Sequence, residues 1–161
     1  MARAVRQFGP RQHSRKRIRL APEAYRDGDP FHICIASAHR REVFRDPRFA
    51  LMVVRRLDLQ MAECGGPILA YGLMLDHLHV LLIADPDLVL WVRLFKSATA
   101  AQAARLGLQG SLWQRSFYDR RLARTGEALT DVARYIIENP VHAGLVQRPE
   151  EWSYSRVSCF L

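Results

Sequence analysis

Ile68-Leu69-Ala70-Tyr71-Gly72-Leu73-Met74-Leu75-Asp76-His77-Leu78-His79-Val80-Leu81-Leu82-Ile83-Ala84 decides the reading of this chain. Two apolar runs, Ile68 to Met74 and His77 to Ala84, flank the short break Leu75-Asp76, which predicts two antiparallel strands joined by a tight turn. Side chains alternate across a strand, so His77 and His79 share a face, about 7 Å apart along it, while Leu78 points into a core on the other side. Two imidazoles projecting together from a stiff element can hold one metal ion. Taken alone, the pair could equally be two unrelated strand histidines, one at an edge and one hydrogen-bonded.

Outward from this hairpin the chain reads as alternating elements. After the turn Asp27-Gly28-Asp29-Pro30, Phe31 to Ser37 is a buried first strand. Asp46-Pro47 opens a helix in the cap-then-proline order. Its apolar residues Phe49, Leu51, Met52, Leu57, Leu59 and Met61 carry it to about Cys64, where Gly65-Gly66-Pro67 stops it. Asp85-Pro86 repeats the opening signal and predicts a long helix to about Leu106, apolar in its first half and alanine-rich in its second. Leu112 to Leu122 contains a fourth strand from Phe117 onward. Thr125-Gly126 leads into a last helix that ends at Asn139-Pro140, and the tail beyond it, with Pro149 and Trp152, predicts no element. The order β-α-β-β-α-β with an extra helix is the α+β, ferredoxin-like pattern, an antiparallel sheet with two helices on one face. In that topology the first and third strands are central, the histidine pair lies mid-sheet, and the final helix covers part of the opposite face.

Length and composition suit one domain. The 161 residues are 49% hydrophobic and 25% charged, the profile of an ordinary soluble globule. No apolar run approaches the roughly 20 residues that span a bilayer, so no membrane partner is expected. The arginine-rich start lacks a following apolar stretch, so no signal peptide is expected either. Three cysteines, Cys34, Cys64 and Cys159, show no paired spacing; they suit a reducing cytoplasm and argue against a cysteine-based zinc site. The net charge of +8 is concentrated: residues 1–20 hold seven basic side chains and no acidic one, leaving 17 basic against 16 acidic in the remaining 141. The expected organisation is therefore a basic arm over residues 1–20 and one domain over residues 21–161. A basic arm grips phosphates without reading bases, and the bias to arginine, 22 of 24 basic residues, favours bidentate phosphate contact. The plainer reading of the arm is a solubilising end.

The last helix supplies the other half of a site. Leu129, Val132, Ala133, Ile136 and Ile137 form its core stripe. At 100° per residue, Tyr135 lies about 130° from the centre of that stripe and Asn139 about 40° from Tyr135. The two share a flank, one turn apart. Two strand histidines with a helix Tyr and Asn suggest a definite chemistry. A metal held by two imidazole nitrogens and an amide oxygen polarises a phosphodiester oxygen. The phenol attacks phosphorus and forms a covalent phosphotyrosine. A free phenol, with its pKa near 10, needs a nearby cation or a base to act near neutrality.

Three blocks extend this constellation: Met74 to Leu82 around the histidines, Leu112-Trp113-Gln114-Arg115-Ser116-Phe117-Tyr118-Asp119, and Tyr135-Ile136-Ile137-Glu138-Asn139-Pro140-Val141-His142-Ala143-Gly144-Leu145-Val146. Glu151-Trp152-Ser153-Tyr154-Ser155 is a weaker fourth. In these blocks, from about Lys16 to Ser155, the chain resembles the REP-associated tyrosine transposases, single-tyrosine members of the HUH nuclease superfamily. The resemblance implies that His77 and His79 are metal ligands, with Asn139 as an amide ligand, and that Tyr135 is the nucleophile. It implies a single-stranded or hairpin DNA substrate of the repetitive extragenic palindrome type. The implied reaction is a 5′-phosphotyrosine nick that leaves a 3′-OH, followed by strand transfer. The implied metal is Mg²⁺ or Mn²⁺; ligand type alone favours Mn²⁺ or Zn²⁺ over Mg²⁺. The protein would act as a monomer or a homodimer. Expected DNA contacts are Arg15, Lys16, Arg17 and Arg19 in the arm, with Lys96, Arg115 and His142. Two departures stand out: Leu75-Asp76 replaces the family's usual Pro-Asn before the first histidine, and His142 replaces a usual arginine.

Other readings compete. Tyr118, beside Phe117, and Tyr154, in the tail, are rival nucleophiles with packing as the plainer role, and Tyr71 reads as core. His32 and His39 read as structural or DNA-contacting. Trp113 and Trp152 could stack on bases but more often anchor a core. Arg93 and Lys96 are basic positions on the long helix. The alternative function is a non-catalytic single-strand-binding module on a ferredoxin-like sheet, which needs exposed sheet aromatics rather than this constellation. A HIT-type hydrolase wants a third alternating histidine where Leu81 stands.

Overall fold

A computed structural model describes residues 28–63, 68–83 and 87–158. The basic arm, with Arg15, Lys16, Arg17 and Arg19, lies outside the described residues, as do Cys64, Cys159 and the Asp85-Pro86 pair.

Strands β1 (Pro30–Ala36), β2 (Ile68–Leu73), β3 (His77–Ile83), β4 (Tyr118–Arg121) and β5 (Ser155–Val157) form one sheet in the order β4-β1-β3-β2-β5. Every pairing is antiparallel. With helices α1 (Pro47–Glu63), α2 (Leu88–Arg105) and α3 (Gly126–His142), this is the expected ferredoxin-like arrangement, and β1 and β3 are central. The fifth strand is a correction. It is short and polar, so no apolar alternation announces it. Backbone bonds from Leu73 N to the Tyr154 carbonyl and from Ser158 N to that of Leu69 hold it, and the Trp152 indole N–H donates to the Leu73 carbonyl at 2.9 Å.

Asp46 caps α1 as expected, its carboxylate accepting the Arg48 N–H at 2.9 Å, with Pro47 in the first turn where no N–H is needed. Phe49, Met52, Val53 and Leu57 are buried against the sheet, whereas Leu51 and Leu59 face solvent. The α2 cap is Asp87 rather than Asp85, because its carboxylate accepts from both Val89 N and Leu90 N. Leu88, Val92, Phe95, Thr99 and Ala103 form the buried stripe of α2. The sheet face under α1 and α2 carries Phe31, Ile33, Ile35, Tyr71, Leu73, Leu78, Val80 and Leu82 in the larger core. Trp113 belongs to that core: its indole N–H donates to Thr99 Oγ1 at 2.8 Å, and its ring lies against Phe44 and Phe95. This makes it an anchor, not a stacking platform.

Helix α3 covers the opposite face, where Ala70 and Leu81 meet Ala133 and Ile136. Thr125 caps it. The expected end at Asn139-Pro140 falls short, since the helix continues to His142 with Pro140 inside it. A proline within a helix removes the bond to the carbonyl four residues earlier, here that of Ile136. The helix then closes through Ala143 N to the Asn139 carbonyl and Leu145 N to that of Pro140, with Gly144 at a positive φ of 69°.

Candidate functional site

Antiparallel register sets residues side by side that the sequence keeps far apart. Tyr118 pairs with Cys34, Cys34 with His79, His79 with Gly72, and Gly72 with Ser155. Directly opposite residues point to the same face, so these five form one row across the sheet on the side of α3. His77 lies two residues along β3, opposite Ala36, and His32 lies two residues along β1, opposite Leu81. The glycine in the row matters. A Cβ at Gly72 would stand 3.0 Å from both Cγ2 and the carbonyl oxygen of Ile136. The bare backbone therefore lets α3 descend onto the sheet, and the carbonyl freed by Pro140 is the one that meets it.

That approach brings Tyr135 to the histidines. Its ring lies edge-on to His79 at 5.8 Å and to His32 at 6.1 Å between centroids. The imidazoles form a chain: His77 Nε2 is 3.1 Å from His79 Nε2, and His79 Nδ1 is 3.1 Å from His32 Nε2. His77 Nδ1 lies 2.5 Å from the Asp76 carboxylate, whose other oxygen accepts from Arg40 at 3.3 Å. His77 donates from Nδ1 to the Asp76 carboxylate, which leaves its Nε2 as an acceptor facing Nε2 of His79. The direction of the two contacts that His79 makes, to His77 and to His32, follows its tautomer.

Burial pushes His79 well below its ordinary range, reinforced by the neighbouring His77, His32 and Arg40. Burial, with Arg120 adding to it, lowers His32 to about 4. Both rings are therefore neutral at neutral pH, the form that can bind a cation. Burial likewise raises the Cys34 thiol to about 11, with Arg40 opposing and Asp76 assisting. Cys34, His77 and His79 each offer a ligand atom, all within 4.8 Å of one another.

These residues fit a divalent cation. The two Nε2 atoms stand 3.1 Å apart. Two nitrogens each about 2.1 Å from one ion, and near a right angle about it, stand about 3.0 Å apart. The side-chain amide Nδ2 of Asn139 is buried without a partner among the described residues. Amide oxygen and nitrogen are exchanged by a half-turn, which would put an acceptor oxygen at that position.

The structure gathers His77, His79, Tyr135 and His32. Arg115 and His142 are exposed. Lys96 donates to the carbonyls of Gln114 and Arg115, which ties the loop before β4 to α2. His39 is exposed in a turn, with a positive φ of 59°. Tyr118 is 60% exposed on the edge strand, not packed as expected. Tyr154 packs edge-on against Trp152, and Tyr71 is core with its hydroxyl donating to Asp58 at 3.0 Å. Sequence reasoning passed over Cys34, Gly72, Arg40 and Arg120. The first two enter through register, and the arginines stand close enough to affect the titration of His79 and His32.

Residues 30–139 match the family described as Transposase IS200 like. The chain belongs to the IS200-like transposase family. Solved structures agree in fold. A REP-associated tyrosine transposase bound to a REP hairpin superposes with a TM-score of 0.69 at 19% identity, over 89% of this chain and 82% of that one. A candidate transposase from Deinococcus radiodurans R1 gives 0.51 at 22% identity, over 79% of this chain and 97% of that one. No curated protein sequence shows significant similarity to the chain. Among the described residues of this transposase, no helix is long and apolar enough to cross a membrane.

Proposed function

We propose that this transposase nicks and rejoins single-stranded DNA through Tyr135, with a divalent metal, Mg²⁺ or Mn²⁺, held by His77, His79 and Asn139. The observation that carries the reading is the meeting of Tyr135 with His79 and His32 above two facing imidazole nitrogens. When bound, the metal would supply Lewis-acid stabilisation of charge on the phosphate. The other roles belong to the chain. The Tyr135 hydroxyl oxygen forms a bond to phosphorus, the bond from phosphorus to the 3′ oxygen breaks, and that oxygen leaves as a 3′-OH with the proton balance closed through solvent. The 5′ phosphate stays on the tyrosine, ready for the reverse attack by another 3′-OH, which completes strand transfer.

Asp76 and His32 are positioning residues in this scheme. Asp76 fixes the tautomer of His77, and His32 fixes that of His79. Arg40 and Arg120 favour a phosphate at the site by charge. The hairpin bound by the structurally similar REP-associated transposase supports a hairpin substrate here, with Arg115, His142 and the basic arm (Arg15, Lys16, Arg17, Arg19) as contacts along its backbone.

The test is incubation with a hairpin-bearing single strand and Mn²⁺, followed by a denaturing gel. A covalent protein–DNA adduct is expected, lost in Tyr135→Phe and in His77→Ala. An adduct that persists in Tyr135→Phe overturns the nucleophile. DNA binding without an adduct, across hairpin substrates, favours a non-catalytic binding module.

A further inference from the structure

We propose that Cys34 turns the histidine pair into a three-ligand site for a thiophilic divalent ion such as Zn²⁺, which competes with the harder ion used for nicking. The proposal rests on the reading of His77 and His79 as metal ligands. Cys34 lies directly opposite His79 in the β1–β3 register, on the two central strands of the sheet. Its sulfur and one nitrogen from each histidine all lie within 4.8 Å of one another. The outer nitrogens of both rings are already engaged, His77 Nδ1 by Asp76 and His79 Nδ1 by His32, so both Nε2 atoms remain for an ion.

Donor chemistry decides which ion gains from the sulfur. Carboxylate, carbonyl and water oxygens suit Mg²⁺ and Mn²⁺, while thiolate selects softer ions. Two imidazoles and one thiolate make three protein ligands with a fourth position open, the arrangement of many zinc centres. A tetrahedral ion with a Zn–S distance of about 2.3 Å and Zn–N of about 2.1 Å holds sulfur and nitrogen about 3.6 Å apart. The ligand atoms already lie within 4.8 Å of one another, close to that separation. With a hard ion, Cys34 stays a thiol and a bystander. With Zn²⁺, the S–H bond breaks, the sulfur electron pair forms the bond to the ion, and one proton leaves to solvent per ion bound. Nothing is oxidised or reduced. Because the same two imidazoles serve both ions, occupancy by one excludes the other.

Co²⁺ added to the full chain reads the ligand set optically. A thiolate-to-cobalt charge-transfer absorption is expected at one ion per chain, displaced by Zn²⁺. It should survive replacement of Cys64 and Cys159 by serine and disappear in Cys34→Ser and Cys34→Ala, with folding of each variant checked by circular dichroism. The ratio of Zn²⁺ to Mn²⁺ affinity should fall in both Cys34 variants. That fall should exceed the roughly 10–100-fold that loss of an outer hydrogen-bond partner costs. Co²⁺ bound without a charge-transfer band, yet lost in His77→Ala, overturns the role of Cys34 and leaves the histidine pair as ligands. Co²⁺ binding indifferent to His77→Ala and His79→Ala overturns the pair and the proposal together.

Discussion

Replacing Gly72 tests whether the seating of α3 on the sheet builds the site. An alanine Cβ would stand 3.0 Å from Cγ2 and from the carbonyl oxygen of Ile136, and 3.2 Å from Ser155 Oγ. Ordinary contact begins at 3.4 Å, so α3 must rise by about 0.4 Å. One of the opposing atoms is backbone, which cannot rotate away. Overpacking of this kind costs about 1–3 kcal/mol, and the alanine returns about 0.4–1 kcal/mol by restricting the unfolded chain. The net is a destabilisation near 1 kcal/mol, or about 2–4 °C in melting temperature for a chain of this size. Gly72→Val places more atoms against the same carbonyl and should lose more. Catalysis should suffer beyond stability, because Tyr135 rides on the helix that moves. A 1 Å misplacement can cost about 100-fold in rate, so a shift of 0.4 Å should slow adduct formation on the order of tenfold. Thermal melts and adduct time courses on Gly72→Ala and Gly72→Val read both quantities. If Gly72→Ala melts higher than the parent and forms adduct at the same rate, α3 is not pressed against Gly72 and the reasoning fails.

Asp76→Asn keeps a hydrogen-bond acceptor for His77 but removes the charge and weakens the link to Arg40. Mn²⁺ affinity, read by the electron paramagnetic resonance of the free ion, should fall about 10–100-fold; unchanged affinity would refute the orienting role. Acid stability should depend on Asp29, which pairs with Arg124 and Arg121. The hydrogen bond from Arg124, helped by the charges of both arginines and opposed by burial, holds its carboxyl below the ordinary value of 3.8. The unfolded chain therefore takes up the proton first, so the stabilisation is complete above that value and is lost as pH falls through the lower folded one. Asp29→Asn should melt lower than the parent at neutral pH and show a shallower loss in acid; parallel curves would remove Asp29 from the account.

Much of the architecture was legible because its signals are local. The Asp46-Pro47 cap, the hairpin around Asp76 and the period-2 placement of His77 and His79 each depend on neighbours in sequence. The 100° spacing that separates Tyr135 and Asn139 from the core stripe is local too, and Tyr135 duly reaches the histidines. What escaped depends on register or competition. Nothing near Cys34 in sequence says that it stands opposite His79, since a one-residue slip would send it to the other face. Gly72 reads as an ordinary weak point in a strand until the helix above it is known. Asp85 and Asp87 both qualify as caps, and only the bonds to Val89 and Leu90 separate them. Ser155 to Val157 is too short and polar to announce a strand, and it forms because Trp152 and the open edge of β2 capture it.

The chain enters α3 from β4 at one margin of the sheet and leaves it towards β5 at the other. The helix is therefore a span fixed at both abutments, with Asp29, on the segment leading into β1, holding Arg124 just before it. Tyr135 meets the strand histidines from a helix whose two ends are fastened to opposite margins of one sheet. The far fastening is only three residues long, Ser155 to Val157 paired with β2, and it lies well away from the ring whose helix it anchors.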